Sequence, residues 1–354
     1  MKHIFSVTGE AQTYSDVLIA PKYSEILSRT NVDLTSDFKD FKLNLPVFSA
    51  NMKHVTGPSM ANAMYKNGGM GILHRFNTIE GCVNQFNEAM DYITFPSCTS
   101  STTQRKVRAQ SIAVSIGVNE NDKELFNELY KAGARIFCID VAHGHHILVK
   151  NMIKYIKEQA SDIHVIAGNI ATPDGAQALE DWGADTIKVG IGPGNVCQTR
   201  KNTGVGIPQL YALEWMHHHK PVRGVNIIAD GGITNPGDIA KALKYADAVM
   251  LGSMIAGTSE TPGKVFRDEN ERFYKIYGGS ASGETKVSNG QEGNFVEGIT
   301  KKSEFKGHVK YILREIRDGL KSAFSYTGSK NLSEFQTNCD FIQITSGSRG
   351  ESKI

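Results

Sequence analysis

The stretch Thr186-Ile-Lys-Val-Gly-Ile-Gly-Pro-Gly-Asn-Val-Cys-Gln-Thr-Arg200 holds the pattern on which the fold turns. A brief apolar run, Thr186–Gly190, breaks off into a glycine-rich loop. Such a run, bounded by Gly, reads as a buried strand of a parallel sheet. Seven further runs share the form: Val47–Ala50, Gly71–His74, Ser111–Gly117, Ile136–Ala142, His164–Gly168, Asn226–Ala229 and Ala248–Gly252. Helical patterns lie between several of them, at Met60–Asn67, Lys123–Ala132, Leu148–Ala160, Gly175–Trp182 and Asp238–Tyr245. Regular alternation of strand and helix implies a parallel sheet, and about eight such units favour a closed (β/α)8 (TIM) barrel over an open sheet. The α/β chain is therefore expected to be one domain over residues 1–354, with an N-terminal lead-in of the first 45 residues and a C-terminal extension. That extension, residues 255–354, reads as a last helix, an irregular stretch and further amphipathic helix. Its Gly- and Ser-rich stretch Tyr277–Gly298 is expected to form a mobile flap, over about residues 279–298.

Bulk properties narrow the function. The 354 residues carry 39 basic and 37 acidic side chains, a net charge of +2. That balance gives no global field to attract nucleic acid or a membrane, so an anionic ligand needs a local site. The cysteines Cys82, Cys98, Cys138, Cys197 and Cys339 are odd in number and scattered. This argues against a disulfide framework and against structural zinc, and fits a reducing cytosol. No apolar run approaches the ~18 residues that span a bilayer. The expectation is a cytoplasmic protein that binds neither nucleic acid nor membrane.

In a barrel of this kind chemistry collects at the C-terminal ends of the strands. Those ends carry Asn51-Met52, His74-Arg75, Asp140-Val-Ala-His-Gly144, Gly168-Asn169, the Cys197 loop, Asp230-Gly-Gly-Ile233 and Gly252-Ser253. Singly each reads as a cap or a turn; together they converge on one rim. Backbone N–H groups of Gly231, Gly232, Gly252 and Ser253 can point at a phosphate, because glycine permits close approach. Asp230 would repel phosphate; it either accepts hydrogen bonds from a ribose diol or caps its turn.

The loop Gly190–Gly206 is the most specific feature. Five glycines and Pro193 around one cysteine rule out regular helix or strand there. A thiol on such a loop can attack an electrophilic carbon once it is a thiolate, which nearby positive charge promotes. Arg200, Lys201 and His143 are the candidate neighbours, and Thr199 can pass a proton to or from a leaving group. Cys82 and Cys138 fit the role of inert core thiols.

The Cys197 loop resembles the catalytic loop of the IMP dehydrogenase and GMP reductase family. Tyr14–Lys22, Ser49–Met52, Gly69–His74, Asp140–Gly144, Ala229–Ile233 and Met250–Ser253 resemble further family segments in the family's order, so the likeness covers roughly residues 13–345. It implies a purine-nucleotide oxidoreductase with Cys197 as nucleophile and Thr199 and Glu284 completing the catalytic set. It implies a substrate site at Met52, Asn195, Asp230, Gly231, Gly232, Gly252, Ser253, Gly279 and Ser280. It places the nicotinamide cofactor by Asp140, Ala142, His143, Gly144, Asn169 and Gly190. A monovalent cation, K+, is implied near Gly192, Gly194 and Cys197, and a homotetramer is implied by the family's habit.

Three features are similar to the reductase branch, which converts GMP to IMP with NADPH. Thr199-Arg-Lys-Asn-Thr-Gly-Val-Gly206 follows the reductase pattern. The paired CBS insert, usual in the dehydrogenase, is missing. No arginine occurs between Arg272 and Arg314, where the dehydrogenase carries the Arg-Tyr pair that activates its water. A dehydrogenase without the insert, or a nucleotide-binding relative without turnover, are the alternatives. The chain departs from the family in three places. Glu284 comes one place later than the reductase glutamate, after Gly283, so either a one-residue slip restores it or the glutamate is lost. Lys53-His54 stands where an aspartate is frequent. Asn195 stands where a serine often contacts phosphate.

Overall fold

The structure is a computed structural model that describes residues 10–93, 110–219, 224–279 and 298–351. Eight parallel strands close into a barrel. They are β1 (Val47–Ser49), β2 (Met70–Leu73), β3 (Ile112–Ile116), β4 (Ile136–Asp140), β5 (His164–Ile170), β6 (Thr186–Val189), β7 (Asn226–Asp230) and β8 (Ala248–Leu251). Each matches one of the expected runs to within two residues at either end. β8 pairs with β1 and closes the ring.

Local chemistry sets the element ends. Thr172 accepts a hydrogen bond from Gly175 N–H, Pro173 opens the helix Pro173–Trp182, and Gly183 closes it at φ 106°. Asn235 caps Pro236–Leu243 in the same way. The helix Pro58–Lys66 lies directly on β2, because Gly71 has no side chain: a Cβ there would sit 2.4 Å from Ala61 Cα. The barrel interior is filled by wholly buried side chains such as Phe48, Ile72 and Ile166, the usual packed core of this architecture, while Phe137 turns outward onto Phe126 of the helix Glu120–Lys131.

The N-terminal mouth is plugged. A hairpin pairing Ser36–Asp37 with Lys42–Leu43 carries Phe38 and Phe41, stacked at 4.7 Å, against Phe48 and His164. His164 spends one ring nitrogen on Asp40 and the other on Thr186, and Asp185 holds Lys39 and Lys157. Asp40, His164 and Asp185 have the spacing of metal ligands, yet these bonds already commit them. No helix among the described residues is long and apolar enough to cross a membrane.

Two features correct the sequence reading. Loop Gly190–Gly206 is not free of helix: Thr199–Thr203 forms one short turn of it, ended by Gly204 at φ 72°. The glycines fall on either side of residues 198–203 and leave that segment free to coil. The C-terminal extension also holds a three-stranded antiparallel sheet: β9 (Phe266–Arg267), β10 (Phe273–Gly278) and β11 (Thr300–Glu304). Tyr277 and Gly278 are therefore strand, not flap. Most of the expected flap, Ser280 and Glu284 included, lies outside the described residues.

Candidate active site

A cavity of about 420 Å³ opens at the C-terminal ends of the strands. It is lined by residues from seven of the eight strand ends or the loops that follow them, so the barrel brings together positions as far apart in sequence as Ala50 and Ser253. Met52, Ala142, Asn169, Gly190 and Gly279 line it, as do Asn195, Asp230, Gly231, Gly232, Gly252 and Ser253. Cys197 and Thr199 face the same space, with Gly192 and Gly194. His143 and Gly144 do not line it. The His143 ring, one of the three candidate neighbours of the thiol, instead lies edge-on to His145. Gly144 packs behind the site, where a Cβ would come within 3.1 Å of the Gly168–Asn169 backbone.

Cys197 is half-buried, and its Sγ lies 3.1 Å from Thr199 Oγ1. The other described thiols are buried, and burial pushes them up, Cys82 to about 11 and Cys138 and Cys339 to about 12. They stay protonated and inert, as the contexts of Cys82 and Cys138 suggested. Arg200 is the cation beside Cys197. Burial lowers its guanidinium and the Cys197 charge opposes that. It folds under Gly192 and Gly206 and donates to Ile207 O. Lys201 is exposed.

An unforeseen residue organises the floor of the cavity. Lys188, in the middle of β6, is buried, and its Nζ lies 2.8 Å from Asp140 Oδ1 and 2.9 Å from Asp230 Oδ2. Burial alone would lower the Lys188 ammonium, but the two carboxylates outweigh it and hold it raised. Burial would raise Asp140, and Lys188 overrides that and keeps it below its usual range. Register explains the contact. Asp140 and Lys188 both pair with Gly168 of β5, one from each side. A Cβ on Gly168 would sit 2.6 Å from Lys188 Cβ, so glycine clears the path between them. Asn169 Nδ2 donates to Asp230 Oδ2 and to Gly190 O, joining β5, β6 and β7. Asp230 is thus held by a cation and an amide and does not cap its own turn. The signal was legible: a lone lysine inside a buried strand requires an anionic partner.

Arg75, Phe76 and Tyr277 also line the cavity. Burial raises the Tyr277 phenol, so it remains a donor. The Cys197 loop is fastened to residues 298–299, which lead into β11. Cys197 bridges Gly298, Ile299 N–H donates to Val196 O, and Gly279 N–H donates to Ile299 O.

Comparison with known proteins adds independent findings. The family model described as IMP dehydrogenase / GMP reductase domain matches residues 11–354. A GMP reductase of Leptothrix cholodnii is 38% identical, over 91% of this chain and 93% of its own. An inosine-5'-monophosphate dehydrogenase of Cryptosporidium parvum is 33% identical, over 98% of this chain and 95% of its own. The crystal structure of a Trypanosoma brucei GMP reductase in complex with guanosine 5'-monophosphate superposes with a TM-score of 0.89 at 28% identity, covering 98% of both chains.

Proposed function

Since the chain belongs to the IMP dehydrogenase and GMP reductase family of oxidoreductases, we propose that it is a GMP reductase, forming IMP and ammonia from GMP with NADPH. The observation that carries this reading is Thr199 at 3.1 Å from Cys197 Sγ, on a loop whose sequel follows the reductase pattern. The lack of arginine between Arg272 and Arg314 supports it, since the dehydrogenase's water-activating pair has no counterpart there.

In this mechanism the Cys197 thiolate adds to C2 of the purine. Thr199 delivers a proton to the departing amino group, and Glu284 restores it to Thr199. Ammonia leaves, and C2 is left as an electrophilic thioimidate on Cys197. The nicotinamide, when bound, supplies the hydride that reduces this carbon. Sγ then departs and IMP is released. Asp230, paired with Lys188, accepts hydrogen bonds from the ribose diol. The amides of Gly231, Gly232, Gly252 and Ser253, with Asn195, hold the 5'-phosphate.

The residues present fit the nicotinamide. Asn169 Oδ1 is buried at the cavity without a partner, an acceptor suited to a carboxamide N–H. Asp140 and Ala142 would flank it. Around Gly192, Gly194 and Cys197 the loop offers neutral carbonyl oxygens, a donor set suited to K+ rather than to a divalent ion. A homotetramer is the assembly proposed, and sedimentation equilibrium tests it.

The assay is direct. Consumption of NADPH with GMP, and IMP as product, is the expected result. NADH formation from IMP and NAD, with GMP left unconsumed, would establish the dehydrogenase instead.

A further inference from the structure

Asn195 stands at the phosphate end of the cavity, and what fixes its side chain comes from elsewhere in the chain. Lys301, on β11, places its Nζ 2.9 Å from Asn195 Oδ1 and 3.1 Å from Asn195 O. An ammonium can only donate, so the amide atom facing it is the oxygen. The Asn195 NH2 group then turns the other way. A free carboxamide could present either end to an anion; this one is locked with its donors outward.

A second, independent observation sets where Lys301 points. In the β10–β11 pair Lys301 lies directly opposite Tyr277. Opposed residues of an antiparallel pair project on the same face. Tyr277 faces the cavity, and its hydroxyl would lie 2.9 Å from a Cβ on Gly252. Lys301 therefore rises on the cavity face beside the turn assigned to phosphate. Lys306, farther along the same segment, donates to Ser253 O and Met254 O. Two ammonium groups thus reach the anion end from β11 and the residues that follow it.

We propose that Lys301 is a positioning residue for the 5'-phosphate: it orients the Asn195 amide so that its N–H donors meet a phosphate oxygen, and it makes the site select nucleotides over nucleosides. The proposal rests on the nucleotide reading given above. It has a mechanical corollary. Lys301 lies three residues beyond Gly298, the bridge partner of Cys197. Phosphate held through Asn195 and Lys301 steadies the same strand that backs the thiol, so remote binding is felt at the reacting carbon.

The test is calorimetric titration with IMP and with inosine, which differ by the phosphate alone. IMP is a ligand in both reactions of the family, so the reading and the proposal can fail separately. Lys301→Met is expected to weaken IMP about tenfold, as for the loss of one charge-assisted contact. Inosine affinity should stay within twofold, and Lys301→Arg should restore most of the IMP affinity. In an Asn195→Ala background the Lys301→Met penalty should vanish, because the lysine acts through that amide. Equal losses for IMP and inosine, an unchanged IMP affinity, or a full penalty without Asn195 would each overturn the proposal. A wild type that binds no IMP would overturn the nucleotide reading itself.

Discussion

Cys197 Sγ and Thr199 Oγ1 stand 3.1 Å apart at the mouth of the barrel, on the turn that leads into the short helix Thr199–Thr203. In the proposed mechanism this hydroxyl relays the proton to the leaving group, and this relationship organises the first prediction. Cys197→Ala should bind IMP normally and lose turnover by at least about a thousandfold, since no other group here can form the covalent bond. Thr199→Ala should keep IMP affinity and slow ammonia release by about 10²- to 10⁴-fold, the range of a lost general acid–base group. Stopped-flow absorbance at 340 nm with GMP measures both. Near-normal rates in Cys197→Ala would sink the covalent mechanism.

Lys188 joins Asp140 to Asp230, so its loss should be felt by cofactor and substrate alike. Lys188→Met leaves two carboxylates facing each other without a cation. Breaking a buried pair in this way costs about 3–5 kcal/mol of stability. Chemical denaturation should show that loss, and KM should rise for both GMP and NADPH. Lys188→Arg should retain more of each, because the charge is kept. A rise in only one KM would show that the two halves are not tied through this side chain.

Gly190 adopts φ 148°, and a Cβ there would sit 2.0 Å from the Asp230 carbonyl oxygen. Gly190→Ala must push β6 away from β7 at the floor of the site. The expected outcome is a lower Tm and a large loss of nucleotide affinity, with the Gly183→Ala variant as a control. Gly183 also has positive φ but meets no atom closer than 3.6 Å, so it should cost stability without affecting IMP binding. Calorimetry and scanning fluorimetry on both variants separate strain from misplacement.

His74 is buried at the end of β2, and its Nδ1 accepts a hydrogen bond from Phe76 N–H. Burial, helped by Lys53 and His54, lowers its pKa from 6.5 to about 4. The unfolded chain takes up a proton near pH 6.5 while the folded one refuses it until about pH 4. Stability from this group is thus full above pH 6.5, declines as pH falls, and the loss reaches about 3 kcal/mol near pH 4. His74→Asn should flatten that part of the stability curve. Denaturant midpoints from pH 7.5 to pH 4.5 provide the check, and an unchanged slope would count against a neutral buried imidazole.

Much of this molecule was legible in its sequence. Runs such as Ile136–Ala142 and Asn226–Ala229 became strands because an apolar segment of that length, closed by polar residues, has one stable environment in an α/β protein. Their ends marked the rim, and the clustered glycines and Pro193 marked the loop that carries Cys197, though not the short helix Thr199–Thr203 within it. The sheet β9–β10–β11 was not legible. Its exposed, polar strand Thr300–Glu304 is held by backbone pairing with β10 and has no alternating apolar face to announce it.

The sequence by itself determined the barrel, its rim and the glycine-rich loop that carries Cys197, since period, length and glycine placement are local properties of the chain. Tertiary structure alone decided the partnerships. Lys188 reaches Asp140 only because Gly168 stands between them in register, and Lys301 reaches Asn195 only because β11 pairs with β10 beside the loop. Such contacts join residues 48 and 106 positions apart. Side-chain identity sets what each group can bond, but closure of the barrel sets which groups meet.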